Sequence, residues 1–459
     1  MDDSLKVQIF SRKLIKPSNP TPSHLRSFKL SLFDQLAPPL YVHVLFYSLL
    51  DEDHNRAKND ERFAQMQKSL SRVLSKYYPL AGRFLRDELL IDCADQGVEY
   101  FEAQVNGELV EFLQEGPEIE LLDKFLPWDP PPSPYLATSP LVAVQINKFE
   151  CGGVVVGIQI SHFIADASSM MTFLKEWANS CTSPTEVYKV LSPNYNDHIV
   201  SIFPARTLSG PKPRPPADYP AKIVTQRFLL DETMIEKIME GAALSCSKCN
   251  FHPSRVVVAL ALIWRALLGV YLEWWSLALI WRALLGVCLA KRGHFRDSIV
   301  AIAMNLRGKT ALTISEPNYG NFWTSVIVPL EAKNAKIELQ ELMILLDNRI
   351  KSTSEKLATA SPEDISSMLI DSRREIIEKR YLSVGIDVYV CTSWCRFPIQ
   401  EVDFGWGKPH WVSHASKAFE AIGLMDAKKG EGLEAWVSLK EEDMTEFKRE
   451  LEVLVPVPK

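Results

Sequence analysis

The chain has 459 residues, which at about 150 residues per domain implies two or three domains. Hydrophobic residues make up 47% and charged residues 24%, the balance of a soluble globular protein, and this excludes disordered, collagen-like and coiled-coil classes. The net charge of -6 argues against a nucleic-acid binder, which would carry a basic stripe, but leaves room for a local basic mouth that takes an anionic cofactor.

Eight cysteines are too dilute for a secreted disulfide scaffold. The opening MDDSLKVQIF is acidic and has no signal-peptide apolar core, and the chain has no Asn-x-Ser/Thr sequon. These features together predict a cytoplasmic protein. The pairs Cys246/Cys249 and Cys391/Cys395 raise the question of zinc. Neither sits in the tight Cys/His constellation that structural zinc needs, so no metal is expected.

In chain order, KVQIFSRKLI predicts a strand before the turn-rich PSNPTPSH. From Glu61 to Tyr77 the residues Phe63, Met66, Leu70, Val73, Leu74 and Tyr77 fall at helical spacing, and Pro79 stops that helix. LLIDCADQGVEYFEAQV predicts two strands around Asp95-Gln96-Gly97. In VVVGIQISHFIADASSMM, Val154, Val156, Ile158 and Ile160 share one parity, so they form one apolar strand face. His162 continues that parity at the strand's end, and a helix is expected to start near Ser168 as N-cap, with Met171, Leu174, Trp177 and Ala178 as its core stripe. Residues 203–220, FPARTLSGPKPRPPADYP, hold six prolines and predict a linker between a domain at 1–202 and a second at 221–459. QRFLLDETMIEKIMEGA then predicts a strand and a helix, so both halves read as α/β layers of similar size.

LALIWRALLGV occurs twice without a mismatch, at 260–270 and 277–287. At about 100° per residue the period turns the second copy roughly 100° from the first on one continuous helix, so the copies cannot share a buried face unless the chain bends. A local duplication or a gene-model error is the plain reading. Arg265, Glu273 and Arg282 interrupt the run, so a transmembrane span is not expected.

Two short strings carry the chemistry. A histidine at a strand end before a helix N-terminus is a common place for a general base, since neutral imidazole takes a proton at neutral pH. The plain alternative is a satisfied, merely buried histidine. Asp166, four residues on, is placed to pin the loop. Asp403-Phe404-Gly405-Trp406-Gly407 puts two aromatics among glycines that permit tight turns.

With His162–Asp166 in mid-chain and Asp403–Gly407 near the C-terminus, the sequence resembles the BAHD family of plant acyl-CoA-dependent acyltransferases, marked by HxxxD and DFGWG. The resemblance covers nearly the whole chain and includes SRKLIKPSNPTPSHL, YYPLAGRF, Asn305-Leu306-Arg307, Gly320-Asn321-Phe322 and MDAKKGEGLEAWVSL. TSWCRFP and the CGG before the histidine strand resemble the vinorine synthase-like branch, whose members mostly acetylate hydroxyls of alkaloids and other specialised metabolites. Ala167 departs from the glycine the family often has there, and the duplicated segment has no family counterpart.

The resemblance implies an α/β fold of the chloramphenicol acetyltransferase-like type: two similar-sized domains with mixed sheets and flanking helices, and a channel between them that admits acyl-CoA from one face and the acceptor from the other. His162 would deprotonate the acceptor hydroxyl. The Thr392 hydroxyl and the Trp394 indole N–H would stabilise the oxyanion, the alternatives being a plain strand residue and a core residue. Asp166 would be structural, with Arg307 as its expected partner. Asp403 would also be structural, paired with Arg396, although the family often counts it as important. Ser254 and Arg255 open a helix whose hydroxyl and cation suit a CoA phosphate, the alternative being an ordinary cap. No metal, covalent acyl-enzyme or permanent cofactor is implied. The expected partners are acyl-CoA, most simply acetyl-CoA, and a small hydroxylated acceptor, with no nucleic acid or membrane, and the expected state is a monomer. One competing reading is a relative disabled by the duplicated helix. Another is a peptide-synthetase condensation domain, which DFGWG and the absence of carrier-domain sequence oppose.

Overall fold

The computed structural model describes residues 5–49, 56–114, 119–183, 194–195, 197–207, 222–245, 251–270, 296–312, 314, 318–334, 337–383, 385–414, 420–427 and 431–454. Most of the proline-rich segment, the second LALIWRALLGV copy and Cys246/Cys249 lie outside these residues. The chain forms two compact units. The first comprises residues 1–215, 312–323 and 397–416; the second comprises 216–311, 324–396 and 417–459. The first division, at 215/216, falls within the 203–220 segment expected as the linker, and two later segments return to the first unit. One of them carries Asp403–Gly407, which the sequence reading placed in the C-terminal domain.

The first unit is built on a six-stranded mixed sheet. Its strands run in the order Val7–Ile15, Val98–Val105, Val142–Phe149, Val154–Ser161, Tyr41–Ser48 and Trp411–Ser413. Only Val98–Val105 and Val142–Phe149 pair in parallel. The expected apolar face of Val154–Ser161 is buried, and so is the other face, which the sequence reading left open. There Gly157 has no room for a side chain, because a Cβ would stand 2.1 Å from the carbonyl oxygen of Phe125. Beside it the Gln159 amide accepts from the backbone N–H of Trp128 at 2.9 Å and donates to the Trp128 carbonyl at 3.1 Å. Both ends of this buried amide are thereby satisfied.

The expected helix around Glu61–Tyr77 spans Arg56–Lys76 and buries Phe63, Met66, Leu70, Val73 and Leu74. Pro79 follows it in a short 3-10 turn, Tyr78–Ala81. The helix after the histidine runs Ala167–Thr182, and its N-cap is Asp166 rather than Ser168. The two helices pack together, and the indole of Trp177 donates to the Met66 carbonyl at 3.2 Å.

The second unit carries its own six-stranded sheet. The order is Ile223–Leu230, Leu433–Lys440, Ala421–Asp426, Ile386–Ser393, Asp297–Asn305 and Trp323–Leu330. The first LALIWRALLGV copy lies in the helix Arg255–Gly269, where every residue from Val257 to Gly269 except Arg265 is buried. Helices Glu232–Ser245, Leu339–Thr359 and Glu441–Leu454 pack against it. A helix apolar all round belongs in such a core. No helix among the described residues is long and apolar enough to cross a membrane.

Candidate active site

His162 follows directly on the strand Val154–Ser161, and its backbone N–H donates to the Leu40 carbonyl at 2.9 Å. Its imidazole is half-buried and meets Asn321, which is 159 positions further along the chain. His162 Nδ1 lies 3.1 Å from Asn321 Oδ1, and Asn321 Nδ2 donates back to the His162 carbonyl at 2.8 Å. The Trp323 ring stands 5.7 Å from the imidazole, and its Nε1–H donates to Asn321 Oδ1 at 3.2 Å.

Behind Asn321 sits Asp34, fully buried. Its Oδ1 accepts from the backbone N–H and Nδ2 of Asn321, at 3.0 and 2.9 Å. Its Oδ2 accepts from the backbone N–H and hydroxyl of Ser31, at 3.0 and 2.7 Å. Ser31 and Asp34 form a reciprocal capping box on the turn Leu32–Gln35. Burial raises the pKa of Asp34 above the usual carboxylate value, and the donors from Asn321 and Ser31 oppose that rise. Sequence reasoning missed this aspartate, although the Ser31-x-x-Asp34 spacing was a readable cap signal.

Asp166 is buried and serves two backbone donors. Oδ1 accepts from Ser169 N–H at 2.9 Å, which caps the helix. Oδ2 accepts from Phe322 N–H at 3.0 Å. The Ser169 hydroxyl and Gly320 exchange a further pair of hydrogen bonds, at 2.8 and 3.0 Å. The segment Gly320–Trp323 is thus fastened to the motif at His162, Asp166 and Ser169. Arg307, expected as its partner, belongs to the second unit; within that unit one of its guanidinium bonds goes to Asn305 Oδ1, at 3.2 Å.

The Asp403 carboxylate turns onto its own loop. Oδ1 accepts from the N–H groups of Gly405 and Gly407, at 2.7 and 2.9 Å. Both glycines hold positive φ, +112° and +85°, where a side chain would be strained. Phe404 packs edge-on against Trp177 at 4.7 Å and Phe46 at 5.7 Å, and Trp406 packs on Phe63 at 5.3 Å. The loop therefore braces both long helices of the first unit. Arg396, named from sequence as the Asp403 partner, belongs to the second unit, where its backbone N–H donates to Asp426.

The remaining candidates all lie in the second unit. Thr392 is half-buried in the strand Ile386–Ser393, opposite Gly423 in a parallel ladder. Trp394 is buried just past that strand, and its backbone N–H donates to the Leu424 carbonyl at 2.7 Å. Ser254 caps the helix Arg255–Gly269 by accepting from Val257 N–H at 3.3 Å. Arg255 is engaged by two carboxylates, Asp426 at 2.8 Å and Glu232 at 3.4 Å. A phosphate reaching this guanidinium would have to compete with both. Cys391 and Cys395 are free thiols that burial pushes up in pKa, Cys395 to about 11, and no cluster of metal-ligating side chains occurs among the described residues.

The sequence matches the transferase family over residues 5–269 and 276–454, and the chain belongs to that family, the BAHD acyltransferases. It is 33% identical over 467 residues to the acetyl-CoA-benzylalcohol acetyltransferase of Clarkia breweri, covering 98% of this chain and 99% of that protein. It is 30% identical to a limonoid 21-O-acetyltransferase of Melia azedarach, covering 98% of each. The crystal structure of vinorine synthase superposes with a TM-score of 0.77 at 30% identity, covering 98% of both chains.

Proposed function

We propose that this acyltransferase moves an acetyl group from acetyl-CoA to a hydroxyl of a plant specialised metabolite such as an alkaloid or terpenoid. The observation that carries the reading is the half-buried imidazole of His162, held at the end of a fully buried strand by Asn321. The names of the similar enzymes, with acetyl-CoA as donor and alcohol or limonoid oxygens as acceptors, support the donor and acceptor classes.

In this mechanism the acceptor O–H gives its proton to His162 as the oxygen attacks the thioester carbonyl. The tetrahedral oxyanion is stabilised by Thr392 and Trp394, roles that the family resemblance assigns to them. The attack forms the ester C–O bond; collapse of the intermediate restores the carbonyl, breaks the C–S bond and passes the proton from His162 to the CoA sulfur. Asp166 and Asp403 support the site without touching substrate. Ser254 and Arg255 act on a CoA phosphate once Arg255 exchanges a carboxylate partner. The enzyme works as a cytoplasmic monomer with acyl-CoA as co-substrate and no resident cofactor. The dilute cysteines, free where described, and the acidic net charge support that setting.

The test is incubation with acetyl-CoA and a panel of hydroxylated alkaloids and terpenoids, followed by mass spectrometry. An acetylated product that depends on His162 is expected. Consumption of acetyl-CoA by the His162→Ala variant at the wild-type rate refutes the assignment.

A further inference from the structure

The geometry points to Asn321 and Asp34 as positioning residues that hold His162 in one neutral tautomer, with the proton on Nδ1 and the lone pair on Nε2. This deepens the reading of His162 as the base and rests on it. A side-chain amide is oriented by what its partners are able to do. One end of the Asn321 amide faces the His162 main-chain carbonyl at 2.8 Å. A carbonyl only accepts, so that end is the NH2. The other end faces the indole N–H of Trp323 at 3.2 Å. An indole N–H only donates, so that end is the oxygen. Each contact fixes the amide by itself, and the two agree.

The same oxygen lies 3.1 Å from His162 Nδ1. An amide oxygen carries no hydrogen, so Nδ1 is the nitrogen that donates. Neutral imidazole has one N–H, and its lone pair is therefore on Nε2. In the opposite tautomer the Nδ1 lone pair would face the amide oxygen, and Nε2 would already hold a proton and could not take one from an acceptor.

Asp34 makes the orientation stiff. Its Oδ1 accepts from both the backbone and the side chain of Asn321, and its Oδ2 is held by Ser31 in the capping box. Rotating the amide would turn its oxygen toward a carboxylate oxygen and a carbonyl at once. The chain of contacts Ser31–Asp34–Asn321–His162 thus conveys the orientation of a helix cap to the imidazole. A neutral amide stands next to Nδ1 where a carboxylate would have stabilised the imidazolium. Asn321 thereby directs the proton without turning the base into a permanent cation.

Nitrogen-15 NMR of the full chain with labelled histidine tests this, the His162 signals being identified by their loss in His162→Ala. At a pH where the imidazole is neutral, Nδ1 should resonate as a protonated and Nε2 as an unprotonated nitrogen. A protonated Nε2 overturns the inference whatever the activity, whereas the expected tautomer in a chain that transfers no acyl group would refute only the functional reading. In Asn321→Ala, turnover should fall by about tenfold or more with KM for acetyl-CoA nearly unchanged, and the spectrum should show mixed tautomers. Wild-type turnover, or lost turnover with the tautomer unaltered, overturns it. If that variant does not fold, the wild-type spectrum still decides.

Discussion

Oδ2 of Asp166 accepts the backbone N–H of Phe322 at 3.0 Å, so the carboxylate four residues past His162 grips the segment that carries Asn321. The same side chain caps the helix Ala167–Thr182 through Ser169. Asp166→Ala removes both bonds. Cap loss costs about 0.5–2 kcal/mol, and a buried N–H left unsatisfied costs about 1–3 kcal/mol more. Thermal unfolding should shift down by several degrees together with turnover. A variant that melts like wild type but has lost transfer would give Asp166 a direct chemical part.

His162→Ala should lower turnover by a factor of about 10² to 10⁴ while acetyl-CoA binding, read by calorimetry, survives. More than a tenth of wild-type turnover would remove His162 from the role of base.

Asp403→Ala frees the N–H groups of Gly405 and Gly407, the two donors that close the aromatic loop. The expected outcome is a lower melting temperature and faster proteolysis near residue 403, with KM for acetyl-CoA unchanged. A raised KM at unaltered stability would instead place the loop in donor binding.

Burial, with a smaller contribution from His43, lowers the pKa of His414 to about 3. The folded state therefore holds this ring neutral, while the unfolded state protonates it below about 6.5. Its contribution to stability is complete above pH 6.5 and is lost as pH falls from there toward 3. Urea unfolding at pH 7, 6 and 5 should show falling stability, and His414→Gln should flatten that slope by up to about 1.4 kcal/mol per pH unit. An unaltered slope in the variant would mean that other groups carry the acid sensitivity.

Much of this architecture was legible. Period-two apolar runs marked the histidine strand, and period-3.6 runs marked the two helices beside it. The second face of that strand was not legible, because Gly157 and Gln159 reveal a covering layer only when Phe125 and Trp128 are seen against them. The Ser31-x-x-Asp34 cap could be read locally, but nothing local joins residue 34 to residue 321. Asp166 was not legible as N-cap because Ser168 offers equally good cap chemistry two positions on. The assignment of DFGWG to the C-terminal domain followed chain order, whereas Phe404 belongs with Phe46 and Trp177 of the first unit.

The first LALIWRALLGV copy supplies residues 260–269 of the buried helix Arg255–Gly269, and Trp264 within it donates to the Ser298 hydroxyl at 3.1 Å. One copy thus suffices for that helix. Deleting Tyr271–Val287, which joins Val270 to Cys288, should keep turnover and reduce association measured by light scattering. An inactive or insoluble deletion variant beside a monomeric, active full chain would show the second copy to be integral, and an inactive full chain restored by the deletion would identify the repeat as a disabling insertion.

The return of residues 312–323 and 397–416 to the first unit has a consequence for biosynthesis. When the ribosome passes residue 215, the unit still lacks the neighbour of His162 and the edge strand beside Tyr41–Ser48. About two hundred more residues must emerge first, on the order of 10–40 s at ordinary elongation rates. Through that interval Phe46 and Trp177 lack the cover that Phe404 gives them. Yield in a heterologous host should therefore depend on chaperone supply and growth temperature more than on the stability of the finished protein, and a transcript ending at the proline-rich segment would encode a sheet without its Trp411–Ser413 edge strand and a histidine without Asn321.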